Sequence, residues 1–228
     1  MKYCLGVKRK SQDHLDRWAY SDGTVFFLDR TEADNESTQR AAMGSLVWRM
    51  ADGSDALNYD CIGPSSYNKA QGIAVRIWGL LAAGVLNVYV CEEGEVMDRW
   101  LYTELIEDYF PAWLKHCTYL VQDFERSLHT AEPLAALEEI GVELVENYPK
   151  CSQDFNAIEN AWKRLRERLD VTLPVALEKR DAFVRRLKAA VAWVNIHKKA
   201  ELEYLSRNQK ERANDCLQMK PKGSRTKW

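Results

Sequence analysis

No two of the six cysteines (Cys4, Cys61, Cys91, Cys117, Cys151 and Cys216) form a CxxC pair, and no histidine stands at zinc-finger spacing beside any of them. Zinc-finger architectures are thereby excluded, and the thiols read as small buried hydrophobes of a reducing compartment. The amino terminus, MKYCLGVKRKSQ, lacks the apolar core of a signal peptide, so nothing in it points to secretion. Eleven glycines and six prolines in 228 residues are too few for a collagen-like chain. One stretch, residues 72–90, is nearly long enough to span a bilayer. Arg76 and Asn87 interrupt it and Ala82-Ala83-Gly84 supplies a turn, so it reads as two strands and no membrane is expected as a partner. Internal repeats and low-complexity tracts are absent.

What is present is core material. Apolar residues make up 46% of the chain and eight residues are Trp, enough for one large domain with appendages but cramped for two. The net charge of −2 conceals an asymmetry. Residues 161–228 hold 18 basic and 8 acidic residues, a net of +10, which leaves −12 for residues 1–160. A basic flank beside an acidic body suits a polyanion approaching metal-holding carboxylates; it equally suits a solvated helical surface.

Along the chain, residues 17–22, Gly23 and residues 24–28 read as strand, turn and strand, a hairpin. Residues 29–44 read as an exposed connection, 46–50 as a short strand and 51–70 as loop. Strands are predicted at 72–82 and 85–91. From Val96 to Leu114, the positions Val96, Trp100, Leu101, Leu105, Tyr109 and Trp113 predict one amphipathic helix. Thr118–Asp123 reads as a buried strand, residues 131–140 as a helix stopped by Gly141, and 142–145 as a strand parallel to the previous one. Two apolar stripes predict further helices: Ile158, Trp162, Leu165 and Leu169, then Phe183, Leu187, Ala190, Val191 and Val194. Residues 201–217 read as a helical extension, and the tail Lys220–Trp228 as loose. This order predicts an α/β fold with a mixed sheet, divided into a lead-in (1–15), a core (16–172), basic helices (173–217) and a basic tail (218–228).

Three carboxylates sit where such a fold can gather them: Asp22 at the end of the first strand, Asp123 at the end of the buried strand, and Glu159 in the first turns of a helix. Hard cations take oxygen ligands, and a few carboxylates on rigid elements can hold two ions for phosphodiester cleavage. Each residue also has a local explanation. Asp22 before Gly23 suits a turn, Asp123 a helix N-cap, and Asn156-Ala-Ile-Glu159 a capping box.

The order of short motifs is more specific. Tyr119-Leu-Val-Gln-Asp123, His129-Thr130-Ala131, Gly141-Val-Glu-Leu, Tyr148-Pro149 and Ser152-Gln-Asp-Phe-Asn-Ala-Ile-Glu-Asn-Ala-Trp162 resemble the second half of the catalytic domain of mariner-superfamily transposases. That family reads QDN…HT, a GI strand, a WP or YP turn, and SPDLNPIENLW. Upstream, Tyr20-Ser-Asp22-Gly-Thr-Val-Phe26, Val47-Trp48-Arg49 and Val75-Arg-Ile-Trp78-Gly79 look like its FSDES.F, VWR and V.VWG elements. The matches keep the family order from about residue 16 to 170.

The resemblance implies a ribonuclease H-like fold in which Asp22, Asp123 and Glu159 bind two Mg²⁺ or Mn²⁺ ions, with DNA as substrate. Metal-directed attack by water, and then by a DNA 3′-hydroxyl, is the chemistry it implies. Asp29 is the second choice for the first carboxylate. Between Asp123 and Glu159 lie 35 residues, one more than the family spacing. Phe124 replaces the family Asn, Gly23 an acidic residue, and Gln153 and Ala157 two prolines. Phe124 reads as core or as a surface for a base, His129 as a phosphate contact or a structural histidine, and Asp154 as a helix cap or an accessory to the site. Lys163, Arg164, Arg185 and Arg186 are the expected contacts to DNA backbone. Only about 20 residues precede Asp22, where the family carries an end-binding helix-turn-helix region, so sequence-specific targeting is expected to be missing here. By resemblance the protein forms a homodimer; nuclear residence, otherwise cytoplasmic, is expected from DNA chemistry and the basic tail. The competing readings are a catalytically idle binding module that keeps the fold and a nuclease without transposition.

Overall fold

The computed structural model describes residues 2–29, 72–123, 125, 128–149, 155–174 and 176–218. The expectations for 30–70, including the Val47-Trp48-Arg49 element, and for Phe124, Asp154 and the basic tail lie outside the described residues. Five strands form one mixed sheet in the order β3-β2-β1-β4-β5: β1 Trp18–Leu28, β2 Ile73–Ala82, β3 Val85–Val90, β4 Tyr119–Gln122 and β5 Glu143–Leu144. β1 pairs antiparallel with β2 and β2 with β3, whereas β4 runs parallel to both β1 and β5. This antiparallel-then-parallel sheet is ribonuclease H-like, as expected from the sequence.

Among the described residues there are nine helices: α1 Lys2–Arg9, α2 Gln12–Leu15, α3 Arg99–Asp108, α4 Phe110–Leu114, α5 Ala131–Glu139, α6 Ile158–Val171, α7 Arg180–His197, α8 Lys199–Arg207 and α9 Gln209–Gln218. Strand alternation divides the core in two. Trp18, Tyr20, Ile77, Leu81 and Val121 face α1 and the helices from α6 onward; Ala19, Trp78, Leu80 and Leu120 face α3, α4 and α5. Both predicted stripes, on α6 and on α7, are buried. The turn between β2 and β3 is the tight one expected, with Ala83 and Gly84 both at positive φ (48° and 72°), the pattern that matches hairpin twist.

Two expectations are corrected. The hairpin centred on Gly23 is one continuous strand of 11 residues, so Asp22 lies inside β1 and not at its end. Gly23 is extended there because a Cβ would lie 2.9 Å from the Trp78 ring, which also leaves no room for the family's acidic side chain. The single helix from Val96 to Leu114 begins after Asp98, whose carboxylate caps the N–H groups of Trp100 and Leu101, and breaks at Tyr109 ahead of Pro111. Its buried face is Tyr102, Leu105, Ile106, Phe110 and Leu114; Val96, Trp100 and Tyr109 of the predicted stripe are exposed.

Candidate active site

Ser21 of β1 is paired with Gln122 of β4, and the next position in each strand holds Asp22 and Asp123. Neighbouring strands run about 4.8 Å apart. Alternation sends both carboxylates to one face, since Tyr20 and Val121, two residues before each, belong to the core beneath α6. That face receives Glu159 from the first turn of α6.

A glycine determines how close α6 comes. Gly79 of β2 is directly across from Asp22. A Cβ at this position would lie 2.3 Å from the Trp162 ring and 3.2 Å from Ile158 Cδ1, so only a bare backbone lets this helix lie down on the sheet. Trp162 and Ile158 are fully buried there, and Glu159 sits between them in sequence. The buried Asn156 side chain donates to the carbonyl of Ser21 (3.2 Å), pinning the start of the helix to the residue before Asp22. The capping-box alternative for Asn156 and Glu159 is therefore corrected: the Asn156 side chain serves the sheet, and the N–H of Glu159 bonds the Asn156 carbonyl.

The electrostatics follow from this crowding. Burial first, and then the charge of Glu159, push the Asp22 carboxyl up to about 8; Asp123 adds to the push, and the Gly23 N–H, which donates to it, opposes it. Glu159 acts on Asp22 through its charge and its nearby side chain, so the two carboxyls are neighbours. Burial also raises Asp123, and the nearby Tyr148 side chain opposes the rise. Asp123 Oδ1 is buried without a hydrogen-bond partner. The structure thus brings Asp22 and Glu159 into contact and sets Asp123 beside Asp22. Among the described residues no three His, Cys, Asp or Glu side chains form a ready-made coordination cluster. The donor set nevertheless fits a hard cation: carboxylate oxygens alone, with Asp22 destabilised by its neighbours and Asp123 Oδ1 buried and unsatisfied.

The other predicted residues separate. Asp29 follows the far end of β1, roughly 23 Å along the strand direction from Asp22, and lines a different cavity of about 260 Å³ with Phe26, Leu169 and Phe183. Burial alone lowers the His129 imidazole, with no contribution from the three carboxylates. Lys163 and Arg185 are exposed. Arg164 is engaged by Glu201 (2.5 Å) and Glu167 (2.8 Å), and Arg186 by Glu178 (2.5 Å) and the Leu169 carbonyl (3.0 Å), so these two expected DNA contacts are committed to holding helices together. Sequence reasoning missed Arg166, whose guanidinium donates to Thr24 Oγ1 (2.5 Å) on the strand of Asp22. Its signal was helical spacing, seven residues after Glu159 and therefore on nearly the same face.

No protein-family model and no curated protein matches the chain. Solved structures do. The catalytic domain of Mos1 mariner transposase superposes with a TM-score of 0.61 at 11% identity, over 95% of this chain and 89% of that one. The Mos1 paired-end complex with the left transposon end gives 0.64 at 13% identity, and the Mos1 paired-end complex with Mn gives 0.63 at 12%. Each covers 95% of this chain, which spans 59% and 60% of the respective transposase chains. The Mos1 catalytic domain is also known with raltegravir and Mn or Mg. At such identity these likenesses establish the shared ribonuclease H-like fold.

Proposed function

We propose that this chain is a transposase-type catalytic core that cuts and joins DNA phosphodiesters with divalent metal. The observation that carries the reading is the convergence of Asp22, Asp123 and Glu159 from β1, the end of β4 and α6 onto one face of the sheet. When bound, Mg²⁺ or Mn²⁺ supplies Lewis-acid stabilisation of the attacking and leaving oxygens in an in-line displacement. Asp22, Asp123 and Glu159 are the residues that would hold two such ions. The protein's own part is placement: Gly79 and Trp162 seat Glu159 near Asp22.

Lys163 and Arg166 stand about 6 and 10.5 Å beyond Glu159 along the axis of α6 and attract the DNA backbone toward the carboxylates. Work on two DNA ends favours a homodimer, and DNA as substrate favours nuclear residence; both belong to the same proposal. The test is nicking of supercoiled plasmid with Mn²⁺. Wild-type protein is expected to nick, and Asp22→Asn, Asp123→Asn and Glu159→Gln to lose activity by at least about 100-fold, the scale of removing an electrostatic element of a site. Equal activity in all four proteins ends the enzymatic reading. Salt-sensitive DNA binding without nicking assigns the fold to a binding module instead.

A further inference from the structure

Between α1 and β5 lies a cavity of about 380 Å³, the size of a small-ligand site. Trp18 and Tyr119, paired at the start of β1 and β4, line it. They precede Asp22 and Asp123 by four residues on the same face of the sheet, so the cavity lies roughly 13 Å from the carboxylates. Its walls differ in chemistry. One is cationic: Lys2 and Lys10 line it, and neither forms an ion pair with a carboxylate among the described residues. Lys10 Nζ donates to His14 Nε2 (2.7 Å), which fixes the ammonium and leaves it two further donors. Burial, Lys10 and Arg17 lower the His14 imidazole, favouring the neutral form that accepts this bond, while Glu143 opposes them. A second wall is aromatic. The His14 ring lies against Tyr119 with centroids 4.3 Å apart and meets Trp18 edge-on at 6.2 Å. Tyr3 completes this wall; its hydroxyl and Trp18 Nε1 are buried there without a hydrogen-bond partner, which favours a polar occupant. The third wall is the edge of the sheet, where β5 pairs with β4 alone and contributes the Glu143 carboxylate.

We propose that this cavity binds a nucleotide whose base carries an exocyclic amino group: the phosphate takes the free donors of Lys10 and Lys2, the base lies against the aromatic wall, and Glu143 accepts from the amino group. Each wall then serves a different part of one molecule. A bare anion would leave the rings and the carboxylate without a role, and an apolar ligand would leave both lysines without one. A free nucleotide and the terminal nucleotide of a DNA strand offer the same chemistry. The proposal shares no residue with the metal reading and stands or falls separately from it.

The experiment is isothermal titration calorimetry of the full chain in EDTA, with deoxyadenosine monophosphate, thymidine monophosphate and inorganic phosphate as probes. Deoxyadenosine monophosphate is expected to bind at least about 10-fold more tightly than either of the others, because thymine has no amino group and phosphate no base. Lys10→Ala is expected to weaken it by about 10–100-fold, the scale of a lost charge-assisted hydrogen bond. Glu143→Ala should reduce it to the affinity of thymidine monophosphate and leave the latter unchanged, a loss of selectivity that misfolding does not produce; this variant carries the test should Lys10→Ala fail to fold. Displacement of deoxyadenosine monophosphate by a 5′-phosphorylated single-stranded oligonucleotide ending in adenine identifies the occupant as a DNA end, and failure to displace it identifies a free nucleotide. The proposal is overturned if wild-type protein shows no saturable binding of deoxyadenosine monophosphate, if inorganic phosphate binds as tightly, or if both variants bind like wild type.

Discussion

At Gly79 an added methyl would sit 2.3 Å from the ring of Trp162, a fully buried side chain. Relief requires α6 to rise from the sheet, and Glu159 rises with it. Gly79→Ala is therefore expected to cost about 1–3 kcal/mol of stability in chemical denaturation and to depress Mn²⁺-dependent nicking beyond what the loss of folded protein explains. Asp22 offers a second test at this scale. Burial and Glu159 hold its carboxyl near 8, above the ordinary value of 3.8, so over that interval the folded protein binds a proton that the unfolded chain has released. The sign follows: this stabilising contribution is fully present below 3.8 and is lost as pH rises to about 8. Metal-free protein should melt at progressively lower temperature from about pH 4 to about pH 8, and Asp22→Asn should flatten that dependence. An unchanged slope in Asp22→Asn would place the titrating group elsewhere.

α6 joins two functions on adjacent sides of one cylinder. Ile158, Trp162, Leu165 and Leu169 are buried, while Glu159, Lys163 and Arg166 run along the side near β1. Arg166 and Arg164 make a controlled comparison two residues apart. Arg166→Ala is expected to weaken DNA binding and lower the slope of log affinity against log salt by about one, as for a lost phosphate contact. Arg164→Ala should leave that slope unchanged, because its charge is already spent on Glu201 and Glu167; fluorescence anisotropy across a salt series separates them. One-sided helices such as α6 and α7 were legible in the sequence because a single apolar stripe admits a single docking. α3 was not. It carries Tyr102, Leu105 and Ile106 on one side and Trp100 on another, and periodicity alone joined buried Leu105 to exposed Val96, Trp100 and Tyr109. β1 was misread for a different reason: Gly23 looked like a turn, and only the Trp78 ring packed over it, 55 residues away, shows why a bare backbone belongs inside a strand.

Across the whole molecule, the charged residues and their chemistry could be named from motif order, whereas the packing roles of the residues that place them could not. Asp22, Asp123 and Glu159 each sit in a recognisable local string. Gly79 and Asn156 lie in such strings too, but what they do is set by contacts between distant segments, which a local string does not show; Asn156 reaches back 135 residues to Ser21. The assembled fold consequently gathers repelling carboxylates at mid-sheet, where burial amplifies the repulsion. A cation that binds only the folded form offsets this by mass action, about 2.7 kcal/mol at a concentration 100 times its dissociation constant. For a chain of this size that corresponds to a rise of roughly 5–10 °C in melting temperature. Saturating Mn²⁺ should produce such a rise in wild-type protein, more strongly at pH 8 than at pH 5, where protons compete for Asp22. The shift should vanish in Asp123→Asn and Glu159→Gln. If Mn²⁺ raises the melting temperature of these variants as much as that of wild type, the ion binds elsewhere and the three carboxylates do not hold it.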